Sequence, residues 1–371
     1  MQKNKLDRLI CLQDFENYAD KHLNSDARDY YFSGANHEHT LRDNIEAFNR
    51  FKIRPKCLRD VSKRDLSVTL LGEKISFPVG ISPTAMQKMA HPNGETATAK
   101  AAASMGTVAI FSTIATTCIE DIGKSSDGLK WFQLYIYKDR KITEDLVKRA
   151  EQSGFKAIVL TADTPVFGMR LADARNKFSL PQHLRMANFD KYDIKKYAVV
   201  GKEESGLNEY ASSLFDPSLT WNDVKWLKSI TSLPVIVKGI LTKDDAILAL
   251  KYGADAIMIS NHGGRQLDSV PATIEALPEI AKVLKGKCEI YIDGGFRTGT
   301  DVLKALALGA RAVFVGRPII WGLSYNGEEG VKQVLQILKK EFDLAMTLSG
   351  CSKLSDLNPS MVTRTNYYSR L

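Results

Sequence analysis

The sequence predicts a closed parallel (β/α)8 barrel. Eight short apolar runs of strand length recur between residues 78 and 315, separated by segments of helical pattern. The runs are nearly continuous in hydrophobicity, as strands covered on both faces are, rather than alternating. Each also ends in polar or glycine-rich residues, and in such a barrel the strand ends converge on one mouth. An open doubly wound sheet is the alternative, but the first unit lacks the Gly-x-Gly-x-x-Gly of that architecture.

The elements follow in order. The chain of 371 residues is read as one domain, with an N-terminal helical extension over 1–77, the barrel over 78–325, and a C-terminal helix and tail over 326–371. Residues 6–24 carry Leu9, Leu12, Phe15, Tyr18, Ala19 and Leu23 at amphipathic-helix spacing, and Ser25 or Asp26 is placed to cap the next helix. After the turn at Gly34, residues 40–51 read as helix again. The strand candidates are 78–82, 107–112, 130–136, 157–161, 234–237, 256–259, 289–292 and 312–315. Helices are expected over 94–105, 143–153, 242–252, 271–284 and 300–308; Gly106, Gly154, Gly253 and Gly309 terminate four of them. An insertion over 164–215, polar and aromatic with a charged stretch at 191–204, separates the fourth and fifth strands. A loop of that length is expected to cover the mouth. Helical pattern resumes over 220–232, residues 328–349 form a closing helix, and 354–371 read as an irregular tail.

Composition narrows the class. With 44% hydrophobic and 25% charged residues the chain is an ordinary soluble globular protein. The net charge of +8 suits anionic ligands, yet Lys and Arg are interspersed with acids, so no nucleic-acid surface is expected. Cys11, Cys57, Cys118, Cys288 and Cys351 are far apart, with no Cys-x-x-Cys pair or His-rich neighbour. A reducing compartment and no metal site are expected. No apolar run reaches the roughly 20 residues of a membrane helix, and the charged start lacks a secretory core. The terminal Ser369-Arg370-Leu371 is close to the Ser-Lys-Leu peroxisomal address.

The strand ends carry the chemistry. Strand one runs into Pro83, Thr84 and Ala85, strand two ends at Ser112, strand three at Gln133 and Tyr135, and strand four at Thr161 and Asp163. Strand five ends at Lys238, strand six at Ser260 and His262, strand seven at Asp293, Gly294 and Gly295 with Arg297 beyond, and strand eight at Gly316 and Arg317. Any one has an ordinary alternative: Asp163 a helix cap, Lys238 a snorkelling side chain, Gln133 a ladder residue. All eight together are harder to assign to structure alone. Loops after strands seven and eight of such barrels bind phosphate, with glycine allowing close approach and arginine supplying charge. Thr84, Ser112, Gln133 and Thr161 suit the polar edge of a planar heterocycle. Together they describe a phosphorylated ring cofactor such as FMN, beside a candidate base, His262, and an anion clamp, Arg265.

The stretch Ser260-Asn261-His262-Gly263-Gly264-Arg265-Gln266-Leu267-Asp268 resembles the active-site motif of the FMN-dependent 2-hydroxy acid oxidases, the family of glycolate oxidase and the peroxisomal long-chain hydroxy acid oxidases. The resemblance extends through Tyr30 to Ala35, Pro83 to Gln87, Phe132 to Tyr135, Thr161 to Pro165 and Asp293 to Arg297. It implies a TIM barrel, bound FMN, and oxidation of an (S)-2-hydroxy acid to a 2-oxo acid with oxygen reduced to hydrogen peroxide. It implies His262 as the base that takes the C2 proton and Asp163 as the group that stabilises the imidazolium. Arg170 and Arg265, assisted by Tyr30, would hold the carboxylate, and Tyr135 would hydrogen-bond the substrate oxygen. Pro83, Thr84, Ala85, Ser112, Gln133, Thr161 and Ser260 would hold the ring, with Lys238 beside its N1 side. Gly294, Gly295, Arg297, Gly316 and Arg317 would serve the phosphate side, with Asp293 a further cofactor-binding residue. A homo-tetramer or octamer, peroxisomal location and an import receptor reading Ser369, Arg370 and Leu371 are further implications.

One departure bears on the substrate. Glycolate oxidases commonly carry a tryptophan two residues past the strand-two serine, where this chain has Ile114. The smaller side chain leaves room for medium or long aliphatic 2-hydroxy acids, with Phe167 as a second wall. The alternatives are a glycolate-preferring oxidase, a dehydrogenase passing electrons to a quinone or cytochrome, and an inactive flavin-binding module. The intact His262, Asp163 and paired arginines stand against the last.

Overall fold

The computed structural model describes residues 9–192, 214–365 and 367. Eight parallel strands close a barrel: β1 (Val79–Ile81), β2 (Ala109–Phe111), β3 (Lys130–Leu134), β4 (Ile158–Thr161), β5 (Val235–Ile240), β6 (Ala256–Ile259), β7 (Glu289–Asp293) and β8 (Ala312–Val315). Each falls on one of the apolar runs, and β8 pairs back onto β1 through Val313 and Val79. The registers set polar neighbours side by side at the mouth, with Thr161 of β4 opposite Lys238 of β5.

The interior of the barrel is filled by side chains. Trp131, Tyr291 and Phe314 are almost wholly buried, with the Trp131 ring 5.2 Å from Tyr291 and 5.7 Å from Phe314. Removal of each such ring from water stabilises the fold by roughly 1.5–3 kcal/mol. A Cβ on Gly80 would lie 2.5 Å from Phe314, so glycine on β1 makes room for that ring. A second apolar layer packs the outer strand faces against the surrounding helices. β5 runs three residues past its expected end through an irregularity at Lys238 and Ile240. There Gly239 takes φ +109°, and its missing Cβ would sit 2.7 Å from Asp163 Cβ, which lets β5 approach the end of β4.

Helices cover the barrel at Gly94–Met105, Arg140–Gln152, Trp221–Ile230, Lys243–Lys251, Thr273–Leu284 and Gly299–Ala307. The second begins three residues before its expected start because Asp139 caps it through Lys141 N. The short helix Ile119–Ser125 was not expected from the sequence pattern. The closing helix is continuous with the one after β8, running Arg317–Leu348 with a break at Asn326 and Gly327.

The extension opens with the amphipathic helix Leu12–His22, which buries Leu12, Phe15 and Ala19. Asn24, not Ser25 or Asp26, caps the helix Ser25–Phe32, accepting from Ala27 N at 2.8 Å. The helix expected over 40–51 ends at Glu46, and Phe51–Ile53 is a strand antiparallel to Val362–Arg364. The tail expected to be irregular therefore contains a strand, formed by a pairing that no local pattern encodes. In the insertion, the described residues include the helix Leu171–Asn176 and the turn Ala187–Phe189. Tyr137 and Phe215 form an antiparallel bridge at its base. Most of the charged stretch 191–204, and the terminal Ser369, Arg370 and Leu371, lie outside the described residues. Among the described residues no helix is long and apolar enough to cross a membrane.

Candidate active site

A cavity opens at the mouth where the eight strands end. Tyr30 enters from the extension, Pro83, Thr84 and Ala85 from β1, Ser112 and Ile114 from β2, and Gln133 and Tyr135 from β3. Thr161 follows, with Phe167 and Arg170 from the insertion, then Lys238 from β5 and His262 and Arg265 from the loop after β6. Asp293, Gly294, Gly295 and Arg297 after β7, and Gly316 and Arg317 after β8, complete the wall. Of the residues singled out from the sequence, Asp163 and Ser260 stand behind this lining, hydrogen-bonded to His262 and Lys238.

His262 sits on a sharp turn in which it, Gly263 and Gly264 take φ of +58°, +64° and +75°. The left-handed conformation at a non-glycine residue costs about 1–2 kcal/mol and aims the imidazole into the mouth. Its Nδ1 lies 2.8 Å from Asp163 Oδ1, which also accepts from Thr164 Oγ1 at 2.8 Å. With Nδ1 so engaged, Nε2 is the nitrogen left to act as a base. Burial lowers the His262 pKa below its ordinary 6.5 against the pull of Asp163, so the resting ring is neutral. Burial opposes ionisation of Asp163, but its pairing with His262, the Lys238 charge and the hydrogen bonds from His262 and Thr164 outweigh it and hold the carboxyl at about 2. Lys238 Nζ lies 3.9 Å from Asp163 Oδ2, 3.8 Å from Asp293 Oδ2, and donates to Ser260 Oγ at 2.8 Å. Burial raises the Tyr135 pKa well above the ordinary phenol value, with Asp163 adding to it, so this hydroxyl is a neutral donor.

A hydrogen-bonded row crosses three strands. Gln133 Oε1 accepts from Ser112 Oγ at 3.1 Å, and its Nε2 donates to Thr161 Oγ1 at 3.0 Å. Ser82, unremarked in the sequence, bonds Asp293 Oδ2 at 3.1 Å. Among the described residues, Asp293 Oδ1 and Arg297 Nε are buried and without a hydrogen-bond partner, and both residues line the cavity. Gly294 and Gly295 take φ of +98° and +85°, and a Cβ on Gly295 would lie 1.9 Å from Asn44 O. The helix Arg317–Leu348 presents its N-terminus to the same wall, with Pro318 in its first turn. A polar row suited to a heterocycle edge, a buried Arg297 Nε without a partner and a helix N-terminus fit a flavin mononucleotide and its phosphate.

The arginines give this end an excess of positive charge. Burial and then the charge of Arg265 depress the Arg170 pKa to about 10. Burial, Arg265 and Arg297 depress that of Arg317 to about 9. Cations crowded out of water in this way are relieved by a bound anion. Arg317 also anchors the wall, donating to the carbonyls of Tyr31, Gly263 and Ser33 at 2.8, 2.9 and 3.0 Å. Arg265 reaches the carbonyl of Tyr30 and stacks over its ring at 4.6 Å, and Arg170 lies 5.1 Å over Phe167.

The rest of the loop after β6 is occupied by fastening. Asn261 and Asn44 exchange reciprocal amide bonds at 2.9 and 2.7 Å. Gln266 Nε2 donates to the carbonyls of Asp163 and Val166 at 3.0 and 2.9 Å. Asp268 accepts from Thr40 N at 2.8 Å and His39 N at 3.3 Å, capping the helix His39–Glu46 from a distance in sequence. Sequence reasoning missed Thr164, Asn44 and the capping role of Asp268. It also missed Phe296, Phe314, Val315 and Pro318 in the lining. Phe296, Val315 and Pro318 each adjoin a residue that was singled out, whereas Phe314 carried no such signal.

The sequence profile of the FMN-dependent dehydrogenases matches residues 19–364. 2-Hydroxyacid oxidase 1 of Mus musculus is 52% identical over 362 residues, 97% of this chain and 98% of the relative. Glycolate oxidase 1 of Zea mays is 52% identical over 346 residues, 93% of each chain. Among solved structures, mandelate oxidase with (S)-4-hydroxymandelic acid is similar with a TM-score of 0.90 and 39% identity, over 96% of this chain and 98% of that one.

Proposed function

The chain belongs to the FMN-dependent dehydrogenase family and is an FMN-dependent oxidoreductase of the 2-hydroxyacid oxidase and glycolate oxidase group; from that premise we propose that it oxidises (S)-2-hydroxy acids of medium or long aliphatic chain to 2-oxo acids, with oxygen reduced to hydrogen peroxide. The observation that carries the chemistry is the His262–Asp163 pair, 2.8 Å apart, with His262, Arg170 and Arg265 lining one cavity.

Arg170 and Arg265 hold the substrate carboxylate, with the Tyr30 hydroxyl beside them, because a planar anion matches guanidinium donors. That grip turns C2 toward His262. Nε2 takes the C2 proton, and the ionised Asp163 across Nδ1 stabilises the resulting imidazolium. Tyr135, held neutral, donates to the substrate oxygen as charge develops there. The ring of FMN would be held by Pro83, Thr84, Ala85, Ser112, Gln133, Thr161 and, through Lys238, Ser260, and its phosphate end by Gly294, Gly295, Arg297, Gly316 and Arg317, with Asp293 a further cofactor contact. When bound, FMN supplies the acceptor for the electron pair leaving C2 and returns it to oxygen. Lys238 is the cation available to stabilise negative charge on that acceptor.

The chain-length reading rests on Ile114, 3% exposed on the cavity wall, with Phe167 also in the lining. The relative named glycolate oxidase favours a second reading, a glycolate-preferring enzyme. Specificity constants for glycolate and 2-hydroxyoctanoate, with oxygen as sole acceptor and peroxide measured, separate the two: a clear advantage for glycolate defeats the chain-length reading, and absence of peroxide defeats the oxidase reading. The same proposal assigns the protein to peroxisomes, through recognition of Ser369, Arg370 and Leu371 by an import receptor. Family resemblance supports a homo-tetramer or octamer.

A further inference from the structure

Ile114 is held from two sides. Its own N–H donates to Ser112 Oγ at 3.2 Å, and the preceding Thr113 N donates to Gln133 Oε1 at 3.2 Å, both within the row at the cavity wall. On the far side the partner is Asn188, in the insertion turn Ala187–Phe189 and 0% exposed. Asn188 Nδ2 donates to Thr113 O at 2.8 Å, and Ala187 N donates to Ala115 O at 3.0 Å. The turn therefore grips the carbonyls immediately before and after Ile114. The other side-chain atom, Asn188 Oδ1, accepts from Ile119 N at 2.8 Å, at the start of the helix Ile119–Ser125. The Asn188 carbonyl accepts from Arg149 Nη1 at 2.8 Å, and Arg149 is fixed by a two-bond pair with Glu120 at 2.6 and 3.0 Å.

We propose that Asn188 is a positioning residue for substrate chain length, acting through Ile114. It couples the insertion to the wall that the substrate tail meets: the Thr113 carbonyl cannot shift without breaking a fully buried amide bond, and the Ile114 side chain follows that peptide. The inference rests on the reading that Ile114 bounds the tail. A purely structural role for Asn188, as a cap for the helix Ile119–Ser125, uses Oδ1 alone. The bond from Nδ2 to Thr113 O is the one that bears on selectivity.

The two atoms can be separated. Asn188→Asp keeps an acceptor for Ile119 N and loses the donor to Thr113 O, whereas Asn188→Ala loses both. In FMN-loaded enzyme both variants are expected to lower the ratio of kcat/KM for 2-hydroxyoctanoate over glycolate by about ten-fold, chiefly through the KM of the longer acid. Bound flavin and the glycolate kcat should stay near wild type. Binding of octanoate and acetate, read from the flavin spectrum without turnover, should show the same divergence. Should Asn188→Ala fail to fold, Asn188→Asp carries the test. Ile114→Trp serves as the reference. A shift in selectivity with Ile114→Trp but none with Asn188→Asp overturns the positioning role alone. No shift with either removes the reading of Ile114, and the positioning role with it.

Discussion

His262 Nδ1 and Asp163 Oδ1 meet at 2.8 Å across the ends of two strands that are not adjacent, β4 and β6, with the irregular end of β5 between them. The contact fixes the tautomer of the base and keeps its counter-charge ionised. Asp163→Asn leaves an amide that can satisfy Nδ1 only by its oxygen, without the charge that stabilises the protonated ring. We expect kcat to fall by about 10²–10⁴-fold with bound flavin retained, measured by steady-state turnover and the flavin spectrum of the same preparation. A loss of only a few fold would remove Asp163 from the mechanism.

The pH profile follows from the same pair. The base acts when neutral, and its pKa lies below the ordinary 6.5, chiefly because it is buried. Protonation therefore sets in only as pH falls through that lowered value, so kcat/KM should hold steady down past 6.5 and decline on the acid side. On the alkaline side Arg170, depressed to about 10 chiefly by burial, should grip the carboxylate less firmly as pH approaches that value, and KM should rise there before kcat falls. An acid limb centred above 6.5 contradicts the burial of His262.

Gly295→Ala tests the fit at the phosphate end. The residue takes φ +85°, and a Cβ would meet Asn44 O at 1.9 Å, so the wall must move away from its present line. Flavin affinity should weaken by about ten-fold or more, read by release of flavin fluorescence on dilution. Unchanged retention would mean that this wall does not contact the cofactor.

Removal of Ser369, Arg370 and Leu371 should leave turnover in vitro unchanged while a tagged protein no longer reaches peroxisomes, as seen by imaging. Import of the shortened chain as efficient as that of the full one would assign targeting to another segment.

The barrel was legible because its evidence is local. Each strand is a short apolar run, and each site residue from Pro83 to Arg317, save Phe167, Arg170 and Arg265 further out in their loops, stands within a few positions of a strand end. What the sequence could not disclose are partners chosen by the fold. Asn44 and Asn261 are 217 positions apart, and nothing near either announces the other. Asp268 looks like part of a catalytic motif yet caps a helix in the extension. Phe51 continues a helical pattern but is drawn into a strand by Arg364. Ile114 was visible as a wall, whereas the turn that grips its neighbours became visible only when Asn188 was seen against Thr113.

The most direct test of the central claim is anaerobic mixing of the FMN-loaded enzyme, and of its His262→Ala variant, with an (S)-2-hydroxy acid. The wild type should lose its flavin absorbance and form one equivalent of 2-oxo acid, then yield peroxide when oxygen is admitted. The variant should bind the same flavin and bleach slower by about 10²–10⁴-fold. Bleaching of His262→Ala at close to the wild-type rate, or a wild type whose flavin is untouched by any 2-hydroxy acid, would contradict the account.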